Sequence, residues 1–276
     1  MRGHILESLA SWMLLLIAVA WSFLPIYFVV SSAFKPLLEM FDWPPKLLFI
    51  PTFNNFQMLY TTWPKFFGSL QNSAIITVVT SVATLVVSSL AAYAFSRFHF
   101  RTMNFTAFSL IAARLFPPIV VCVPLYPLFS SLHLIDTHAI LILLYMAFYV
   151  SLATWIMMAF IDEIPIDLEE AAMVDGASRL QAFFRITLPL VAAGMASVAV
   201  LTAVFCWNEF TFAFIFTNTR AVTAPVTLNE MLGGLYGSDW GSVFTASTIQ
   251  LVPMLIFVWA VQKYLVKGLT MGAVKG

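Results

Sequence analysis

Few residues in this chain can do chemistry, and their positions limit what that chemistry is. The four histidines, His4, His99, His133 and His138, form no HExxH motif and no i, i+4 pair, so no metal site is expected. Cys122 and Cys206 each stand in an apolar run without a CxxC partner and read as small buried hydrophobes. No GxxxxGKS or GxxxxGKT phosphate loop occurs, so any nucleotide in this system is held by another chain. Three groups of polar residues remain. Asp162, Glu163, Asp167, Glu169, Glu170 and Asp175 crowd into one short segment. Arg114 and Glu209 stand inside apolar stretches, where an ionisable side chain is costly and therefore a functional candidate. Trp207, Asn208, Tyr145 and Tyr149 offer the aromatic faces and planar hydrogen-bonding groups that bind sugars, although such aromatics also pack or face lipid. An integral-membrane enzyme would have to use carboxylates such as Asp162 and Glu163 or the histidines, and no catalytic spacing links them.

The chain that carries these residues is 61% hydrophobic and 9% charged, against roughly 25% charged in an ordinary soluble domain. The formal net charge is 0 and no Lys/Arg-rich run occurs, so the expected surroundings are a lipid bilayer and not nucleic acid. Six apolar stretches reach the roughly 20 residues that a crossing takes: Trp12–Ala33, Ser69–Ser96, Asn104–Ser131, His138–Ile161, Thr187–Phe216 and Ser242–Val266. The first exceeds a signal-peptide h-region and lacks a small-x-small cleavage site, so it reads as a retained span. With the amino terminus inside, Arg2, Arg97, Arg101, Arg179, Arg185, Lys263, Lys267 and Lys275 fall on the inner side, against Lys35, Lys46, Lys65 and Arg220 outside. Cytoplasmic loops carry the excess of Lys and Arg, so both termini are expected in the cytoplasm.

Two outer segments, Lys35–Gly68 and Thr217–Gly241, are rich in proline or glycine (Gly233, Gly234, Gly237) and predict turns and short broken helices. They either receive a partner protein or simply cap the bundle. In the third stretch Pro117, Pro118, Pro124 and Pro127 must kink the helix, as a gate or as a bent packing element. Arg114 lies about 15 Å in from the inner end of that stretch, and Glu209 about 30 Å along the fifth, at 1.5 Å per residue. No direct ion pair between them is expected. Arg114 faces the bundle, faces a partner chain, or snorkels, and Asn208 with Glu209 falls near the outer mouth.

The acidic segment is locally well specified. Asp167 with Glu170 three residues on has the capping-box pattern, and Leu168, Ala171 and Ala172 share one helical face. Gly176 suits the C′ position of that helix. Ser178 with Gln181 repeats the cap pattern and starts a second helix carrying Phe183 and Phe184. The product is a helix–turn–helix that presents the alanine face and the Phe183/Phe184 pair. Two readings are open: a docking surface for a cytoplasmic protein, or an amphipathic connector lying along the membrane interface.

The string EEAAMVDGASRLQAFFRITLPL, residues 169–190, resembles the EAA loop of permease subunits in bacterial ATP-binding-cassette importers. Glu170, Ala171, Ala172, Gly176, Ile186, Leu188 and Pro189 fall at matching positions. WNEF at 207–210, RLFPPIVVCVPLY at 114–126 and the ending GLTMGAVKG at 268–276 resemble the maltose- and trehalose-type sugar importers, specifically their second, MalG-like permease. The trehalose permeases of mycobacteria are among the proteins it is similar to.

That resemblance implies an all-α integral membrane protein of the type I importer class. Residues 1–276 would form a single permease domain with six transmembrane helices, and 162–187 its cytoplasmic coupling loop. It implies a bacterial inner-membrane complex with a second homologous permease, an extracytoplasmic sugar-binding protein and two ATPase domains, each engaging one EAA loop. ATP and Mg would be bound by the ATPases, with no cofactor and no catalytic residue in this chain. Glu170 is then the charged anchor, Ala171 and Ala172 permit close approach and Gly176 sets the turn, while Glu169, Asp175, Ala177, Phe183 and Phe184 complete the coupling surface. Thr270–Lys275 is a second coupling element. Closure of the ATPases would bias inward- against outward-facing states by rigid-body movement. Arg114, Tyr145, Tyr149, Trp207, Asn208 and Glu209 are the pathway or gate candidates. A permease of the same architecture for amino acids or polyamines is the alternative.

Overall fold

Prolines decide where several helices of this chain stop. The computed structural model describes residues 2–98, 103–233 and 239–273, with side chains over 11–98, 105–112, 114–233 and 239–262. Gly234 and Gly237, and the side chains of Thr270 to Lys275, lie outside the described residues. Every regular element among those described is helical. Four segments are long and apolar enough to cross a membrane unbroken: Ser11–Ala33 of α1 (Arg2–Ala33), α3 (Lys65–Arg97), α6 (His138–Asp162) and Trp240–Gln262 of α13 (Trp240–Ala273). They match the first, second, fourth and sixth apolar stretches.

The third and fifth stretches are each broken into shorter helices; the break in the third is the kink its prolines predict, and the fifth bends as well. The third divides into α4 (Met103–Ala112), a 3-10 turn at Ala113–Leu115 and α5 (Pro118–Ser131). Pro117 pushes Phe116 into extended backbone, ψ 124°, and Pro118 then takes a first-turn position where its missing N–H is no loss. Pro124 and Pro127 remain inside α5 and remove ladder donors there. In the fifth, the segment Arg179–Leu190, which ends in the single-turn helix α9 (Leu188–Leu190), meets α10 (Ala192–Trp207) at 77°. A π-helical turn at Phe183–Thr187 and Pro189, which cannot donate to the carbonyl four residues back, produce that bend. A further break at Asn208–Phe210 separates α10 from α11 (Thr211–Phe216).

The chain forms two compact units, residues 1–67 with 227–252 and residues 68–226 with 253–276. In the first, no residue in the apolar window of α1 is buried within the chain, so that helix must find lipid or another protein. The Asn55 amide, on α2 (Asn54–Thr62), donates to the carbonyls of Ala33 and Lys35 at 2.9 and 2.8 Å and ties down the end of α1. Lys65 pairs with Glu230 of α12 (Ala224–Leu232). Lys46 pairs with Asp42 and Glu39, and hydrogen bonds to these two carboxylates raise its pKa. Residues 36–64 and 217–233 are turns and short helices, as their composition predicts.

The second unit holds the polar features. Lipid tails are as apolar as any core, so close packing and hydrogen bonds are what select one arrangement of helices. Gly194 permits the approach of α10 to α6, since a Cβ there would stand 2.6 Å from the Phe160 ring. One buried cluster surrounds Tyr145, Tyr149, Cys206 and Phe216, and another Tyr93, Met157, Ile161 and Phe183. Cys122 and Cys206 are free, buried thiols. At the start of α6, Asp136 adopts φ 60° and its carboxylate accepts the backbone N–H groups of Asn218, Thr219, Arg220 and Ala221 at 3.0–3.2 Å. The Thr219 hydroxyl adds a bond of 2.7 Å. Burial alone would raise the Asp136 pKa; the converging donors outweigh it and hold the carboxyl well below the usual range.

Candidate functional site

The acidic segment folds at the far end of α6 as two short helices joined by a closed turn. Its first helix, α7, spans Asp167–Val174. The expected Asp167–Glu170 capping box does not form: Ile166 takes the N-cap with no side-chain bond, because the helix starts one residue earlier and makes Asp167 its first residue. Acidic residues in that first turn still complement the helix dipole. The helix closes as its glycine predicts. Gly176 has φ +93°, its N–H donates to Met173, and the N–H of Ala177 donates to Ala172, the two bonds of a Schellman motif. The second capping box is complete: Ser178 accepts from Gln181 N at 3.3 Å and Gln181 accepts from Ser178 N at 2.8 Å. It starts α8 (Arg179–Ala182), which runs into the π turn.

The two glutamates have different surroundings. Glu170 and Ala171 are exposed and Ala172 is half-buried, while Glu169 is only 3% exposed. One Glu169 oxygen accepts from Arg97 Nε at 2.9 Å and from the Thr187 hydroxyl at 2.8 Å. The other accepts from the Tyr93 hydroxyl at 2.8 Å. Arg97 Nη2 donates to the carbonyls of Ile161 and Ile164 at 3.1 and 3.0 Å, closing the end of α6. Phe183 corrects the expectation of an exposed aromatic pair. It is 1% exposed, with its ring 4.8 Å from that of Tyr93, because the π turn rotates it inward; Phe184 alone remains outside. Leu168, Val174, Leu180 and Phe184 leave apolar surface on the outer side. Beside them a notch of ≈ 420 Å³ is lined by Ala172, Asp175, Gly176, Ala177, Gln181 and Arg185.

The remaining candidates do not form one cluster. The Arg114 guanidinium lies over the rings of Phe148, Phe205 and Tyr149 at 5.2, 5.8 and 5.9 Å, a cation–π cage on α6 and α10. No salt bridge among the described residues includes it. Tyr149 stacks on Phe205 and neighbours Tyr145, whose ring also meets Phe212. The Tyr145 hydroxyl lies near Glu209 without a well-formed hydrogen bond to it. Glu209 instead accepts from Phe212 N and Ala213 N at 2.8 and 3.2 Å and so caps α11. Trp207 lines an apolar groove of ≈ 370 Å³ with Thr77, Ser81, Ala203, Met254 and Phe257. Asn208 is exposed and bonds to Val204 of its own helix. No group of three or more His, Cys, Asp or Glu able to hold a metal occurs among the described residues.

Tyr93, Arg97 and Thr187 escaped the reading of the sequence. The signal was present in part: Tyr93 and Arg97 stand at i, i+4 on α3, and Arg97 ends an apolar run.

Against this geometry stand three kinds of likeness. The family described as "binding-protein-dependent transport system inner membrane component" matches residues 84–271. The trehalose/maltose transport system permease protein MalG of Thermococcus litoralis is 39% identical over 209 residues, 75% of either chain. The trehalose transport system permease protein SugB of Mycobacterium tuberculosis is 35% identical over 265 residues, 94% of this chain and 95% of that one. A crystal structure of a bacterial ABC transporter that imports the acidic polysaccharide alginate shares the fold with a TM-score of 0.79 at 20% identity, covering 96% of this chain and 98% of that chain.

Proposed function

The chain belongs to the inner membrane components of binding-protein-dependent transport systems, and from that premise we propose that it is one of two paired permeases of an ATP-driven sugar importer. As a permease subunit of an ABC importer it is non-catalytic and binds no cofactor; the ATPase is separate. In this reading two ATPase domains bind beneath the pair, and this chain offers them residues 162–187. The observation that carries the reading is the well-capped loop itself. Both of its turns are closed by hydrogen bonds, yet it leaves Glu170, Ala171, Val174 and Phe184 uncovered. Apolar side chains held outward on a well-capped scaffold fit a partner surface better than they fit water.

The cargo is a di- or oligosaccharide, with trehalose the favoured member; two relatives named for trehalose transport support this. Both termini lie in the cytoplasm, which the bias of Lys and Arg supports. Arg114 in its aromatic cage and Glu209 are the half-buried groups that face the pathway, with the buried Tyr149 and Tyr145 beside them; Asn208 lies at its mouth and Trp207 on its apolar flank. The main sugar contacts fall partly on the second permease. Co-purification from the native membrane, mass spectrometry of the associated chains and sugar-stimulated ATP hydrolysis test the proposal. A second permease, an ATPase and stimulation by trehalose or maltose are expected. A chain recovered without an ATPase overturns the importer reading, and stimulation only by amino acids or polyamines overturns the sugar.

A further inference from the structure

We propose that Glu169 is a positioning residue: with Arg97 it forms an internal latch that makes the docking loop move with α3 and α10 as one body. This rests on the docking reading of residues 162–187. Glu169 is the one buried ionisable side chain of that segment, so it cannot meet a protein that approaches from outside. Its carboxylate joins elements that are remote in sequence. Tyr93 and Arg97 bring the end of α3, and Thr187 brings the bend that leads into α10. Arg97 extends the same node to the last carbonyls of α6 through Ile161 and Ile164.

The latch and the docking face stand on consecutive residues of α7. Neighbouring residues on a helix point about 100° apart, so Glu170 faces the partner while Glu169 grips the bundle. A surface pair of long side chains would slide and re-form in water. This pair has side chains 7% and 4% exposed, and separating it would strand both charges away from solvent. Force applied at Glu170 and Ala171 therefore reaches α3 and α10 without being lost in the loop. Phe183 against Tyr93 adds an apolar contact that keeps the donor hydroxyl in place.

The test uses the complete complex of both permeases and the ATPase, reconstituted with its cognate binding protein. Glu169→Gln keeps the shape of the side chain and removes the charge. The expected result is unchanged recovery of the ATPase with the permeases and a fall of about tenfold in the stimulation of ATP hydrolysis by the binding protein, the size of a typical coupling between sites. Tyr93→Phe removes one hydrogen bond and nothing else; a smaller loss of stimulation with normal thermal stability is expected, and this variant decides the matter if Glu169→Gln does not fold. Stimulation equal to wild type in Tyr93→Phe and in any folded Glu169→Gln complex overturns the latch. So does loss of ATPase recovery in Glu169→Gln, since that makes Glu169 a docking contact. Failure of the wild-type chain to recover an ATPase rejects the docking reading itself and is scored separately.

Discussion

Two carboxylates, at the two ends of α6, organise the second unit in opposite ways. Asp136, before the first turn, is held almost entirely by backbone N–H groups of one short loop. Glu169, beyond the last turn, is held by a guanidinium and two hydroxyls from separate elements. Backbone donors are supplied by any residue but proline, so the Asp136 node tolerates change in residues 218–221 as long as the turn persists. The Glu169 node depends on the identity of Arg97, Tyr93 and Thr187. One carboxylate staples a loop, and the other ties together α3, α7 and the bend before α10.

Breaking the second node should have the larger effect. Arg97→Met leaves Glu169 buried without its cation, which costs about 3–5 kcal/mol for a pair of this burial. A large drop in the melting temperature of the purified complex is expected, and a shift within error would show that the pair contributes little to stability. The outer face of the same loop separates stability from coupling. Glu170→Lys and Gly176→Pro should leave membrane insertion intact and uncouple ATP hydrolysis from uptake. The proline is incompatible with φ +93° and strains the turn by about 1–3 kcal/mol. Assembly and uptake at wild-type levels in both variants would remove the loop from the coupling path.

Asp136→Asn keeps the left-handed backbone but loses the charge that faces four N–H groups, a cost of about 1–3 kcal/mol. The folded pKa of Asp136 lies below its unfolded value, so the carboxylate contributes its full stability above about pH 3.9 and loses it as pH falls through the folded value. Wild-type protein should thus lose more stability than Asp136→Asn on acidification below that point, and parallel melting curves would refute the assignment. The smallest change is Ser178→Ala, which removes one cap for about 1 kcal/mol. It should loosen the loop, seen as faster hydrogen exchange in α8, and leave the Glu169 contacts unaltered.

Much of this was legible before any coordinates. Gly176 and the Ser178/Gln181 pair act as their types and spacing require, because a C′ glycine and a capping box are decided within six residues of chain. Short-range rules failed where a neighbour only one residue away competed. Ile166 replaced Asp167 as the cap because the first helix began a residue early. The prolines predicted a bend in the third stretch alone; the 77° turn at Val191 in the fifth arises from the π turn together with Pro189. The inward rotation of Phe183 follows from that turn and has no signature in apolar periodicity.

The sequence alone determined that the protein is helical and embedded in lipid, that one acidic loop is set apart from the apolar remainder, and where that loop turns. Hydropathy, helix caps and a single glycine are local quantities, readable along the chain. The tertiary structure decided which of two adjacent glutamates is sealed inside. It also showed that Arg114 rests among aromatic rings instead of meeting a carboxylate, and that Glu209 serves as a helix cap. Those outcomes depend on what stands opposite each side chain across the bundle, and a buried charge takes whichever partner the packing of distant helices provides.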